Sequence, residues 1–542
     1  MADLNLRTLC RLGGRFVGAY VFGGVALLLA SSASLRGAGI GSSHARVMMS
    51  GTAGAPAEAG SNAVLLTRGP YLQMQTPTKV TVRWRTSEPT DSRVQWGLAA
   101  DHLDNVINVS TVTNEHKVRI TGLLPDTLYY YSVGTTQRVL GSGPGYFCVT
   151  PPTNAKPTRI WVTGDTRTGD ANQLAVRDAY YQFTGSRPTD VWLTLGDNGG
   201  PTGADAEYQV VFFECFRRVL RQSGVWPSIG NHETYHNPAH FAYLDLFTLP
   251  QRGQAGGVPS GSDRYYSFNY GAIHFVALDS VTSDISSNGA MHAWLAADLA
   301  ANRQDWLIAY WHYPPYSKGS HDSDSEEGLI QMRRNFLPLL EAYGVDLVLA
   351  GHSHNYERSY LLDGHYGSST ALSTRMILDS GDGRPSGSGA YVKAARGPTP
   401  HQGTVCVVMG SSGLVSPGPL GHPAMCYSAN ALGSLVLDID GDTLKARFLR
   451  ETGMVDDSFT LIKNPALLAP RVTFVGWRDG QVTLRWTTVP GAFYQVLRRR
   501  SFDLPWVGVS GILPGVGAVL EWTDPNPKRR PVGFYQVEKL PQ

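Results

Sequence analysis

Charge is scarce in this chain and balanced in sign: Asp, Glu, Lys and Arg make up 17% of 542 residues, and 46 basic against 44 acidic groups leave a net +2. An average soluble chain carries about 25% charged residues. There is no global field to attract nucleic acid or an anionic membrane, and no charged tail of the disordered kind. Cysteine is sparse too: the five present contain no CxxC pair, which excludes a zinc ribbon and a dithiol redox site. Past the first thirty residues no apolar run approaches the roughly 20 residues of a bilayer span, so the processed chain is expected to be soluble, with neither membrane nor nucleic acid as a partner. What is plentiful is glycine (60) and proline (33), beside 42% hydrophobic residues. That mixture favours sheets joined by turns over helical bundles or repeats. The length exceeds the roughly 250–300 residues at which a single core stops growing, so several domains are expected.

The amino terminus has the order of a secretory signal. Arg7, Arg11 and Arg15 precede the apolar run Phe16 to Ala30, and small residues follow at Ser31, Ser32, Ala33 and Ser34. We therefore expect residues 1–33 to direct export, to a periplasmic or extracellular destination. A retained anchor is disfavoured because the run is short and interrupted by glycine. Residues 34–65, rich in Ala, Gly, Ser and Thr, read as a linker. Cys10 leaves with the signal. Of the remaining Cys148, Cys215, Cys406 and Cys426, the last two are placed to form a disulfide across a Gly/Pro-rich loop, the alternative being inert buried thiols.

Three further segments follow. Residues 66–152 alternate as short strands, with Val80, Val82 and Trp84 on one face of KVTVRW, and about seven such strands predict a small β-sandwich. Residues 157–463 switch to apolar strands that end in glycine and polar residues, with helical periods between them, which predicts a layered α/β domain. Residues 468–542 return to strands, and QVTLRW (Gln481 to Trp486) echoes KVTVRW closely enough to predict a second sandwich. The string LLPDTLYYYSV resembles the fibronectin type III pattern, in which Leu123, Pro125, Thr127 and Tyr129 form the corner before a core strand.

Five strand ends of the central segment stop on metal-capable side chains: Asp165 in GDTR, Asp197 in GDN, Asn231 with His232 in GNHE, His312 in YWHYPP, and His352 with His354 in GHSH. In α/β sheets ligands bind outside the carboxyl ends of strands, so groups far apart in sequence can converge there. Two carboxylates, one amide oxygen and three imidazoles suit Zn, Mn or Fe better than an all-oxygen cage for Ca or Mg.

A lone GD or a lone His carries little weight, but together these motifs resemble the metallophosphoesterase signature GDxG, GDxxY, GNHE, VxxH, GHxH. With the preceding sandwich the chain resembles the purple acid phosphatase branch of that calcineurin-like superfamily. The resemblance implies a four-layer αββα catalytic domain flanked by fibronectin type III-like sandwiches. It places Asp165, Asp197 and His354 on one metal and Asp197, Asn231, His312 and His352 on the other, with Asp197 as the bridge. Two cations about 3.5–4 Å apart clamp the attacking and leaving oxygens and lower the pKa of a bound water, so that hydroxide is the nucleophile. His232 would bind a phosphoryl oxygen or protonate the leaving alkoxide. His321 falls where purple acid phosphatases present the first of two substrate histidines, and Asp322 replaces the second.

The pattern also departs from the family. The tyrosine of GDxxY is Gly200 here, so no ferric tyrosinate is expected, and the first metal lacks one protein ligand unless a group such as Asn198 supplies it. Where some relatives carry a histidine two residues after the first Asp, this chain has Arg167, a candidate phosphate clamp or an outward-facing side chain. Glu357 and Arg358 are expected to form a structural ion pair beside the site. The expected function is hydrolysis of small phosphate esters, monoesters first, by two metal ions whose identity (Fe, Zn or Mn) is open. A phosphodiesterase or nucleotidase on the same site is the alternative, and a non-catalytic surface or adhesion protein on a decayed scaffold is the rival of a different class.

Overall fold

The computed structural model describes residues 63–463 and, apart from 471, 479–480, 489–491, 502, 516–518 and 526–533, residues 470–540. The signal-like segment, nearly all of the linker and the basic run Lys528 to Arg530 lie outside the described residues.

The first segment forms six strands, against about seven expected: β1 (Leu66–Thr76), β2 (Lys79–Gly97), β3 (Asn105–Thr121), β4 (Leu128–Gly134), β5 (Val139–Gly141) and β6 (Phe147–Val149). They make one continuous sheet in place of two separate ones. β2 pairs with β1 through its first half and with β4 through its second, while β3 follows both halves along the other edge. The ladder shifts register between Arg85 and Ser92. The alternation of KVTVRW puts Val80, Val82 and Trp84 into the core with Val94, Ile120 and Tyr131. At the corner, the Tyr129 hydroxyl accepts the N–H of Leu124 at 3.0 Å. The opposite face of β2 is covered as well: Arg83 Nη1 donates to the carbonyl of Leu246 at 2.7 Å, joined there by the Tyr71 hydroxyl at 2.9 Å.

The central segment holds two seven-stranded sheets. One runs β17 (Tyr391–Lys393), β22 (Val455–Lys463), β21 (Thr443–Arg450), β20 (Gly433–Asp440), β7 (Thr158–Thr163), β8 (Val191–Thr194), β9 (Val225–Pro227). The other runs β10 (Tyr266–Tyr270), β11 (Ile273–Ala277), β12 (Trp306–Trp311), β13 (Leu347–Ala350), β18 (Val405–Met409), β14 (Tyr356–Ser359), β19 (Met425–Ala429). β15 (Leu361–Leu362) and β16 (Ile377–Asp379) form a small ribbon beside them. Strands of parallel pairs are covered on both faces, which is why they read as unbroken apolar runs. Along β12, Trp306, Ile308 and Tyr310 enter the core between the sheets, while Leu307, Ala309 and Trp311 face the helical layer. That layer contains α2 (Ala290–Ala301) and α3 (Leu337–Ala342). On the far side lies α1 (Ala171–Thr184), capped by Asp170, whose carboxylate accepts from the N–H groups of Asn172 and Gln173. Tyr180 of α1 stacks on Trp161 of β7 at 4.2 Å. Helix, sheet, sheet and helix give the four layers of a metallophosphoesterase fold.

The last segment forms a three-stranded sheet of β23 (Val472–Arg478), β24 (Gln481–Thr487) and β28 (Val519–Thr523). A four-stranded sheet contains β25 (Phe493–Arg499), β26 (Val507–Gly508), β27 (Leu513–Pro514) and β29 (Phe534–Lys539). Trp486, fully buried like Trp84, packs with Leu484, Tyr494 and Val496. No helix among the described residues is long and apolar enough to cross a membrane.

Two expectations are corrected. Cys406 and Cys426 are free, because β14 lies between β18 and β19 and sets the two strands that carry them two spacings apart, about 10 Å between backbones. Glu357 and Arg358 do not pair with each other, since successive residues of a strand face opposite sides. Arg358 is bound to Asp457 at 2.6 Å, and Glu357 accepts from the Ser317 hydroxyl and the Lys318 N–H.

Candidate metal centre

Asp165, Asp197 and Asn231 follow the parallel strands β7, β8 and β9 of one sheet, and His312 and His352 follow β12 and β13 of the other. The carboxyl edges of both sheets therefore open on one place. Asp165, Asp197 and His312 have donor atoms within 4.8 Å of one another, and all three are buried. His312 Nε2 lies 2.9 Å from Asn231 Oδ1 and 3.5 Å from Asp197 Oδ1. His354 Nε2 lies 3.5 Å from Asp165 Oδ1, and the His312 and His352 rings are 4.9 Å apart. All six residues singled out in the sequence are thus gathered.

Local backbone makes this approach possible at a cost. Asp165, Asp197 and His352 have φ of 58°, 52° and 68°, the left-handed region that costs an L-residue about 1–2 kcal/mol. A Cβ on Gly230 would fall 2.2 Å from both N and Oδ1 of Asp197, so only glycine admits the GNHE turn against that carboxylate. Glu233 of the same motif holds the turn together. Its carboxylate accepts the N–H groups of Asp197, Asn198, Gly199 and Gly230 and the hydroxyl of Tyr208. Sequence reasoning missed this role, although the residue is the last letter of GNHE.

The donor set fits metal ions. Asp165 Oδ1 is buried with no hydrogen-bond partner among the described residues. Burial, with Asp197 close by, pushes the Asp165 carboxyl well above its usual range. Burial acts on Asp197 too, but His312, His232 and Arg167 hold it below its usual range. Burial drives His352 down to about 3 and His354 down to about 4, so both rings are neutral, the form a metal takes. Each imidazole also has its outward nitrogen held: His312 Nδ1 by the Leu195 carbonyl at 2.8 Å, His354 Nδ1 by Ser416 Oγ at 2.9 Å, and His352 Nε2 by Glu326 at 3.5 Å. Metal-ligating histidines are ordinarily fixed in this way. That leaves Nε2 of His312, 2.9 Å from Asn231 Oδ1, Nε2 of His354, 3.5 Å from Asp165 Oδ1, and Nδ1 of His352 as the nitrogens not held in this way.

The other residues singled out divide. His232 lies at the centre, its N–H on Asp197 Oδ1 at 2.9 Å and its Nδ1 against the Pro201 carbonyl at 2.5 Å. Arg167 does not face outward: its Nε is 3.3 Å from Asp197 Oδ2, and its side chain is 15% exposed. His321 stacks on His352 with ring centroids 3.7 Å apart. Asp322 is turned aside, its carboxylate on Lys318 Nζ at 2.9 Å, and Glu326 is the acid of that segment that reaches the imidazoles. The sequence shows it only as one of four acids in the run HDSDSEEG, with nothing to set it apart from the others. Asn198 donates to the Ser228 carbonyl, and its buried Oδ1 has no partner among the described residues.

Residues 158–356 match the calcineurin-like phosphoesterase family, and residues 68–150 match the purple acid phosphatase N-terminal domain. The chain therefore carries a calcineurin-like phosphoesterase domain behind a purple acid phosphatase N-terminal domain. Among proteins of known sequence it is similar to purple acid phosphatase 15 of Arabidopsis thaliana, 32% identical over 270 residues that cover 45% of this chain and 49% of that one. An uncharacterised protein of Mycobacterium tuberculosis is 28% identical over 338 residues, 54% of this chain and 62% of that one. The chain thus spans about half to three-fifths of the length of the relatives it matches. A solved purple acid phosphatase from yellow lupin (Lupinus luteus) seeds shares the fold, with TM-score 0.58 and 18% identity over 73% of this chain and 75% of that one.

Proposed function

We propose that the protein is an exported, metal-dependent phosphoric ester hydrolase that acts on small phosphomonoesters. The observation that carries this reading is the convergence of Asp165, Asp197, Asn231, His312, His352 and His354 at the carboxyl edges of two sheets, each imidazole held by its outer nitrogen. Asp165, Asp197 and His354 would hold one metal ion, and Asp197, Asn231, His312 and His352 the other. Bound there, the ions supply Lewis acidity and a nucleophile at neutral pH, so no side-chain nucleophile is required.

The remaining groups bind and move protons. Arg167 is placed to hold a phosphoryl oxygen by a charge-assisted hydrogen bond. The Nδ1 of His232 is occupied by Pro201, which leaves Nε2 for a phosphoryl oxygen or the leaving alkoxide. His321 is tied at Nδ1 to Glu326, and its Nε2 is the second candidate donor to the leaving group. No substrate role is proposed for Asp322. Residues 1–33 are read as the export signal, and the domain division as 66–152, 157–463 and 468–542.

The test is hydrolysis of p-nitrophenyl phosphate and of its bis ester by wild type and Asp197→Ala. The proposal expects monoester hydrolysis that the substitution abolishes. Preferential cleavage of the bis ester would replace it with a phosphodiesterase, and no cleavage of either after supply of Zn, Mn or Fe would overturn it.

A further inference from the structure

We propose that Glu326 is a positioning residue that fixes which nitrogen of His352 faces the metal centre and, through the same carboxylate, aims His321. The inference rests on the metal-centre reading above. It makes one side chain the link between metal affinity and protonation of the leaving group.

The acids of HDSDSEEG are not equivalent. Asp322 and Asp324 are paired with Lys318 at 2.9 and 3.0 Å, and Glu327 accepts from Gln331 at 2.8 Å. Glu326 alone of the four turns to the centre. Its oxygens lie 2.9 and 3.0 Å from His321 Nδ1 and 3.5 Å from His352 Nε2, and Oε1 also accepts the Asp322 N–H at 2.9 Å. That last bond anchors the carboxylate to the backbone of its own turn, so it does not swing freely between the rings.

The contrast with the other two imidazoles gives the role its chemistry. His312 and His354 are held by neutral partners, a carbonyl and a hydroxyl, whereas His352 is held by a carboxylate. A carboxylate accepting from the outer N–H fixes the tautomer and makes the inner nitrogen a stronger donor to a metal. Because Nε2 is the held atom, Nδ1 is the nitrogen His352 offers. His321, stacked on that ring at 3.7 Å, receives the same carboxylate on Nδ1, which leaves its Nε2 for a substrate oxygen.

The experiment uses zinc as the probe. Wild type, Glu326→Ala, Glu326→Gln, His321→Ala and Asp322→Ala are loaded with zinc, and its release to a colorimetric chelator is timed alongside kcat and a thermal melt. The expected result is release about 10–100-fold faster in Glu326→Ala, with an intermediate effect in Glu326→Gln, whose amide oxygen still accepts the N–H. His321→Ala should lower kcat and leave release unchanged, and Asp322→Ala should leave release unchanged. Wild-type release rates in both Glu326 variants would overturn the positioning role. A wild type that takes up no zinc, manganese or iron would instead remove the metal-centre reading on which the role depends. Should Glu326→Ala fail to fold, the isosteric Gln variant carries the test.

Discussion

The stem of Arg167 lies across Gly200 so closely that a Cβ on Gly200 would fall 2.6 Å from the Cβ of Arg167 and 3.0 Å from its Cγ. The place where the family pattern expects a tyrosine is therefore filled from two residues after Asp165. A phenolate donor has been exchanged for a guanidinium 3.3 Å from Asp197. Loaded with iron, the protein should show no tyrosinate charge-transfer band, and visible absorption spectroscopy checks this.

The same contact predicts a kinetic pair. Arg167→Ala removes a charge-assisted hydrogen bond worth about 1.5–3 kcal/mol, so KM for p-nitrophenyl phosphate should rise about 10–100-fold. Gly200→Ala, which adds one methyl group, should raise KM in the same direction by displacing Arg167. A wild-type KM in both variants would show that the guanidinium does not touch substrate.

Glu233 predicts a loss of fold and not of chemistry alone. Glu233→Ala leaves four buried N–H groups without an acceptor, each costing about 1–3 kcal/mol. The melting temperature should fall by ten degrees or more, and metal retention should fall with it. A melt within two degrees of wild type would show that the turn is held by other means.

The junction between the first sheet and the central domain predicts a smaller effect. The buried Arg68 guanidinium meets Asp205 at 2.8 Å, and Arg85 binds the same carboxylate at 2.6 Å. Because Asp205 is partly exposed, Asp205→Ala should cost about 1–3 kcal/mol, measured by urea titration.

Acid should weaken the molecule at Asp457. Burial raises its carboxyl, but hydrogen bonds and charge from Arg358, with help from Arg384, hold it below its usual range. A folded value below the unfolded one gives stability that is complete above the unfolded pKa of about 3.9 and is lost as pH falls through the folded value. Wild-type stability should hold above about pH 5 and drop below about pH 4. Asp457→Asn should flatten that drop, at a cost near neutrality of about 3–5 kcal/mol.

Much of the site was legible because each of its residues follows an apolar strand, so strand order alone aims it at a shared edge. The central fold was legible for the same reason: WLIAYW is apolar on both faces because β12 is buried on both. What failed depended on three-dimensional neighbours. The strand periods of KVTVRW and of the Val94–Trp96 segment belong to one strand, β2, which runs on through Ser87 to Asp91 with a shift of register, so the first sheet has six strands where about seven were expected. The Cys406–Cys426 pairing needed the position of β14, which no spacing reveals. In HDSDSEEG a loop has no period, so nothing in the sequence said that Glu326 rather than Asp322 faces the imidazoles.

The central claim is that the six converging residues hold metal ions that the chemistry requires. Elemental analysis of the purified protein, before and after dialysis against chelator and with p-nitrophenyl phosphate hydrolysis followed in parallel, tests it most directly. The account predicts up to two ions per chain in wild type, activity that leaves and returns with them, and at most one ion with no activity in Asp197→Ala. Less than one ion per chain, or full activity after the metal is stripped, would contradict it.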